Sequence, residues 1–284
     1  MNSKDLEERL STCESLPVLP MSLSHIQKLM GMPKSTMAQI AYAISADQTL
    51  ASKTIKLVNS AFYGMRKPVS SITQAIVILG LNTINNIMLG LSAVKMFGSA
   101  KGKTLDQELF WEHAFGVALM SKELANATGY DEPDECFIAG LLHDIGRLVM
   151  EQYFHNDFSK AFMGARSMNI SLSEAEQLVF GADHCFAGGY LAKKWKLPVF
   201  LYACIRYHHS IDSMPPEFAE YGRMAAIVAM ANYLAVSKKI GDSGETDVPP
   251  VTDQLLSCIN TETIEKIVEQ ARESVKATLT EWQS

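Results

Sequence analysis

Apolar residues recur at spacings of three and four along almost the whole chain, while runs that alternate apolar and polar residues are scarce. That periodicity predicts an all-α, multi-helical fold. Helix starts are expected where a hydroxyl residue is followed three positions later by Glu or Gln: Thr36 with Gln39, Ser71 with Gln74, Thr104 with Gln107, and Ser173 with Glu176. Gly129 follows a long periodic stretch over about residues 105–127 and is expected to end that helix at positive φ. Two breaks interrupt the pattern: residues 98–103 are small and polar, and residues 240–250 carry Gly241, Asp242, Gly244 and the pair Pro249 and Pro250. They divide the chain into an N-terminal segment (1–15), a helical lobe (16–103), a larger helical lobe (104–240), and a linker with an amphipathic C-terminal helix (241–284).

Charge and cysteine content narrow the function. The chain carries 25 Lys and Arg against 31 Asp and Glu, a net charge of −6. A protein whose affinity rests on neutralising phosphates has the opposite sign, so nucleic acid is disfavoured as a partner. The five cysteines (Cys13, Cys136, Cys185, Cys204, Cys258) are odd in number and contain no C-x-x-C spacing, which points to a reducing compartment rather than a disulfide framework. The opening MNSKDLEERL is charged where a secretory signal is apolar, and the longest apolar runs, 75–81 and 224–231, fall far short of the roughly 20 residues that span a bilayer. A cytoplasmic protein without a membrane partner is expected.

Five of the seven histidines and one aspartate stand out in the larger lobe: His113, His143 with Asp144, His184, and the pair His208 and His209. Imidazole nitrogens and a carboxylate suit divalent iron, manganese or zinc, and helices of a bundle can point such groups inward together. Taken singly, each histidine reads more readily as a core residue with its ring satisfied by a carbonyl. Asp144 is harder to dismiss, because it lies within the otherwise apolar run IAGLLHDIGRLVM at 138–150. A buried carboxylate needs a cation or strong hydrogen bonds. A metal would serve, and so would Arg147, three residues further along the same helix side. The residues alone leave both solutions open. Cys204 lies four residues before His208 without a third orienting group, and reads as a structural cysteine.

The string HDIG at 143–146, with a histidine upstream and His208 and His209 downstream, resembles the HD superfamily of metal-dependent phosphohydrolases. The strings LPVLP (16–20), DQTLA (47–51), LVNSAFYG (57–64) and ITQAIVILGL (72–81) resemble the HDOD family, as do GLLHDIG (140–146), FGADH (180–184) and IRYHH (205–209). The resemblance runs in order over about residues 16–236. It implies a family-specific N-terminal helical lobe joined to an HD-like lobe, in bacterial signalling and regulatory proteins. Many such proteins have lost metal ligands and work through a protein partner or a small regulatory ligand. Carried over by position, His113, His143, Asp144, His184, His208 and His209 match metal-ligand positions of the catalytic HD-GYP relatives, where Asp144 would bridge two ions. The resemblance thus implies one or two divalent ions, iron, manganese or zinc.

The chain also departs from the catalytic pattern. The last acidic ligand falls at Asn232, the lysine after HDIG is Arg147, and no Gly-Tyr-Pro follows His209, so cleavage of cyclic di-GMP is not supported. Gln48 replaces a proline common in the family. Two functions follow: a regulatory module whose metal serves structure, or, as the alternative, a metal-dependent phosphohydrolase with unassigned catalytic residues.

Overall fold

The computed structural model describes residues 3–60, 63–98, 104–246 and 259–283, and every regular element among them is a helix. The chain divides into two compact units, one of residues 17–99 with 277–284 and the other of residues 1–16 with 100–276. The larger unit opens with α1 (Ser3–Thr12). The smaller contains α2 (Met21–Met30), α3 (Met37–Ala46), α4 (Gln48–Val58), α5 (Ile72–Leu79) and α6 (Leu81–Phe97).

In the smaller unit α6 is the core, buried around almost its whole circumference, and α2, α4 and α5 pack on it. Local chemistry sets the ends of these helices. Thr36 and Gln39 form the expected reciprocal cap of α3. Ser71 caps α5 by accepting the Gln74 amide, while the Gln74 side chain reaches back one residue further, to the Ser70 amide at 3.0 Å. Asn59 clamps the segment between α4 and α5, donating to the Val69 carbonyl at 2.8 Å and accepting the Val69 amide at 2.7 Å. Residues 61 and 62 of the string LVNSAFYG lie outside the described residues. A cleft lined by Ser22, His25, Leu29, Gln39 and Tyr42 lies along α2 and α3, with Tyr42 78% exposed.

The larger unit is built around α7 (Gln107–Thr128), with α8 (Pro133–Leu142) and α14 (Gly222–Ser237) packed along it. The expected ending holds, since Gly129 follows α7 at φ 64°. Around this core run α9 (Ile145–Tyr153), α10 (His155–Met168), α11 (Leu172–Phe180), α12 (His184–Lys194) and α13 (Val199–Tyr207). The amphipathic C-terminal helix is α15 (Thr261–Gln283); its residues up to Lys276 group with the larger unit and those from Ala277 with the smaller. No single helix among the described residues is long and apolar enough to cross a membrane.

Three local expectations are corrected. Asp106, not Thr104, caps α7, because Thr104 donates its amide to Glu151 at 3.0 Å and its hydroxyl lies 2.6 Å from that of Ser159. The cap of α11 is Ser171 with Glu174, two residues before the expected pair, since Glu176 is buried and turned inward. Residues 240–246, expected to form the start of a linker, are a strap that packs back into the larger unit: Ile240, Ser243 and Glu245 are buried, and the Asp242 amide donates to the Leu109 carbonyl at 2.9 Å. Residues 99–103 and 247–258, including Cys258, lie outside the described residues.

Glycines set how closely the helices approach. A Cβ on Gly140 would lie 2.8 Å from Ser121 Oγ and 2.9 Å from Ala118 Cα, so α8 rests against the surface of α7. A Cβ on Gly146 would fall on the His184 carbonyl oxygen and lie 2.7 Å from the Gly188 amide nitrogen. The starts of α9 and α12 are therefore in backbone contact. Gly146→Ala is expected to cost ~1–3 kcal/mol or more of stability in urea denaturation, because backbone cannot yield as a side chain does. Gly164→Ala in α10, where the new methyl meets only the end of Met168 at 3.6 Å, should be neutral or stabilise by about 0.5–1 kcal/mol.

Candidate metal centre

Because α8 ends at Leu142 and α9 begins at Ile145, His143 and Asp144 form the joint between two helices. Asp144 holds the N-cap position of α9, where an aspartate normally accepts an amide of the first turn, yet its side chain makes no capping bond. The carboxylate faces the interior instead. His184 Nε2 lies 3.0 Å and His208 Nε2 3.6 Å from its Oδ1; His143 Nε2 lies 3.4 Å and His113 Nε2 4.0 Å from its Oδ2. Four segments contribute: α7 brings His113, the joint His143 and Asp144, the first residue of α12 His184, and the end of α13 His208 and His209. The backbone contact at Gly146 is what brings His184 onto Asp144.

The histidines are held in one tautomer by what their other nitrogen bonds. Carbonyls and carboxylates only accept, so His143 Nδ1 donates to the Gly140 carbonyl at 2.7 Å and His184 Nδ1 to Glu176 at 2.7 Å. His208 Nδ1 lies 3.1 Å from the Ile205 carbonyl and 3.2 Å from that of Cys204. A backbone hydrogen bond at Ile240 holds His113. Donation from Nδ1 leaves Nε2 with its lone pair, which is how second-shell groups prepare an imidazole for a cation. The Nε2 atoms of His113, His143 and His209, and Oδ1 of Asn232 on α14, are buried with no hydrogen-bond partner.

Arg147 lies beneath Asp144 with its side chain wholly removed from solvent. Its Nη1 donates to Asp144 Oδ2 at 2.9 Å and to Ser243 Oγ at 2.8 Å, Nη2 donates to Glu245 at 2.7 Å, and Nε lies 3.6 Å from Glu176. Glu245 also accepts the Leu172 amide at 2.8 Å. The three carboxylates against one guanidinium leave two formal negative charges in the interior. Burial pushes Asp144 up, but Arg147, His143 and His184 outweigh it and hold the carboxyl well below its usual range. Burial pushes His143 down to about 3, and lowers His113 and His209 as well. Burial also opposes protonation of His208, yet Cys185 and Asp144 raise it to about 9. His184 is raised against burial and Arg147 by Cys185, Glu176 and Asp144. Protonated His184 and His208 would supply the missing positive charge; a divalent cation would supply it too, and would use both nitrogens.

All six residues singled out from the sequence therefore meet in one interior. His113, His143 and Asp144 form one group whose ligand atoms lie within 4.8 Å of one another, and His184, His208 and His209 form a second together with Cys185. The ion pair and the histidine cluster coexist, with Arg147 on one Asp144 oxygen and His184 and His208 beside the other. Sequence reasoning missed Cys185, Glu176 and the strap residues Ser243 and Glu245. Adjacency to His184 was the available signal for Cys185, whereas Glu176 had the spacing of a cap and Glu245 sits in a break. Cys204 is buried, and burial pushes its thiol well up, in keeping with a structural cysteine.

The family model of the HDOD domain matches residues 16–211. A curated relative, an uncharacterized protein of Treponema pallidum (strain Nichols), is 29% identical over 86% of the chain and 46% of its own length, so the chain spans less than half of it. Among solved structures, an HDOD domain protein of unknown function from Geobacter sulfurreducens is 27% identical, with a TM-score of 0.74 over 99% of both chains. A proposed phosphohydrolase from Shewanella amazonensis SB2B shares the fold, with 23% identity and a TM-score of 0.71 over 98% of this chain and 97% of its own.

Removing one member of a buried charge cluster strands the others. Arg147→Met is expected to lower stability by about 3–5 kcal/mol in urea denaturation. Glu245→Gln in the same background should add less than it costs alone, because the guanidinium it pairs with is already gone.

Proposed function

The chain belongs to the HDOD domain family, and on that premise we propose that it is a regulatory module. Its HD-like unit holds one divalent cation as a buried structural element, and its work is to bind a protein partner or a small regulatory ligand. The seat of Arg147 carries this reading. With a guanidinium 2.9 Å from Oδ2, Asp144 turns Oδ1 to an ion, and a second cation on Oδ2 would stand against the positive charge of Arg147. Ser243 and Glu245 grip the same guanidinium, so it cannot swing aside without uncovering buried charge. Asn232 stands where the resemblance puts the last acidic ligand, and its amide brings no charge to hold a second ion.

The residues present fit a cation. They offer imidazole nitrogens without partners, donors held in the required tautomer by Gly140, Glu176 and Ile205, and two formal negative charges to neutralise. A bound divalent cation at Oδ1 would supply that charge and tie the joint at Asp144, α12 and α13 together. The net charge of −6 argues against nucleic acid as the partner, and a bacterial cytoplasmic setting goes with this reading.

A second reading, hydrolysis of a phosphoester, is favoured by one observation. A cavity of about 330 Å³ is lined by His113, Arg166, Lys239 and the strap residues Gly241–Thr246, which sets two cationic side chains beside a candidate ligand. In that reading Arg166 and Lys239 would bind and orient the phosphoryl group, and the metal would activate water.

Metal analysis of the untagged protein, expressed with iron, manganese and zinc supplied, separates the two. The regulatory reading expects close to one ion per chain, its loss in Asp144→Ala, and no hydrolysis of phosphodiesters or phosphomonoesters above that mutant. Two ions with metal-dependent turnover would establish the phosphohydrolase instead, and metal-free wild-type protein would remove the cation from both. Glu176→Gln should weaken metal binding about 10–100-fold, because it releases the His184 ring that the carboxylate orients.

A further inference from the structure

Cys185 is buried beside His184, and its Sγ lies 3.6 Å from His184 Nε2 and 3.8 Å from each ring nitrogen of His208. The separation from His184 matches that between two ligands of one tetrahedral ion, and His208 stands next to the sulfur within a small turn of its ring. With metal–sulfur bonds of about 2.3 Å and metal–nitrogen bonds of about 2.0–2.1 Å, the sulfur and nitrogen corners of a tetrahedron lie about 3.6 Å apart. A further donor is at hand: Asp144 Oδ1 lies 3.0 Å from His184 Nε2 and 3.6 Å from His208 Nε2, and the ligand atoms of His184, Cys185, His208 and His209 all lie within 4.8 Å of one another. Glu176 and the Ile205 carbonyl take the Nδ1 protons of His184 and His208, so each ring would join the sulfur through Nε2, giving up to solvent any proton held there.

We propose that Cys185 is a ligand of the cation held by Asp144 Oδ1, His184 and His208, making a sulfur-containing site that takes a zinc-class cation in preference to manganese. The inference rests on the metal-binding half of the function proposed above and specifies its chemistry. Coordination removes the thiol proton, which passes to solvent, and the thiolate then supplies the soft donor that zinc and cobalt accept readily and manganese does not.

Cobalt tests it in the whole chain. Cobalt-loaded wild-type protein should show a thiolate-to-cobalt charge-transfer band in the near ultraviolet, lost in Cys185→Ser and kept in Cys204→Ser. In competition, wild-type protein should take zinc over manganese, and Cys185→Ser should lose much of that preference. Cobalt bound without the band would overturn the sulfur ligand and leave the metal reading standing, whereas no cobalt bound would overturn both. Should Cys185→Ser fail to fold, X-ray absorption of the zinc-loaded wild-type protein decides. A zinc–sulfur shell at about 2.3 Å supports the site, and a shell of nitrogen and oxygen alone overturns it.

Discussion

A guanidinium enclosed by protein has to be met by acceptors on all of its faces, and Arg147 meets this requirement by drawing three other parts of the larger unit onto α9. Asp144 comes from the joint before α9, Glu176 from α11, and Ser243 and Glu245 from the strap after α14. An unpaired buried charge costs several kcal/mol, so none of these segments can leave independently. The strap is consequently part of the unit's interior. Glu245 bonds Arg147 on one side and the Leu172 amide at the start of α11 on the other.

The same cluster limits what the interior can do. Asp144 is shared between Arg147 and the histidines, and each claim restricts the other. The acidic excess that Arg147 leaves uncompensated draws positive charge to the side where His184 and His208 lie, whether as protons or as a cation. Helix contact determines where that charge can sit. Gly146 allows α9 to touch α12 through backbone, and the first residue of α12 is His184. Gly241, at φ 61°, does the same for the strap, since a Cβ there would fall on the His113 amide. The geometry of the site thus follows from two places where no side chain fits.

Much of this was legible beforehand, for identifiable reasons. Helical periodicity and the cap at Thr36 are local, set by residues three or four apart, and the end of α7 at Gly129 needs only a residue tolerant of positive φ. The failures are local signals overruled from a distance. Thr104 and Glu176 have the spacing of caps, but Thr104 is claimed by Glu151 and Ser159, remote in sequence, and Glu176 by His184 at the start of the next helix. The glycines and small polar residues at 240–246 have the composition of a linker. Nothing nearby in the chain reveals that Ser243 and Glu245 answer a charge almost a hundred positions earlier.

By itself the sequence determined the helical class, the family membership carried by HDIG and its companion strings, and the identity of the residues able to form the site. Those depend on residue type and short spacing, which are written in the chain. Only the tertiary structure decided that Arg147 takes one oxygen of Asp144, that Cys185 turns its sulfur toward two imidazoles, and that the strap closes on the guanidinium. Each is a choice among alternative partners for a buried polar group. Such choices are settled by which groups packing brings within about 3 Å, where an unmet buried charge or hydrogen bond is too costly to leave.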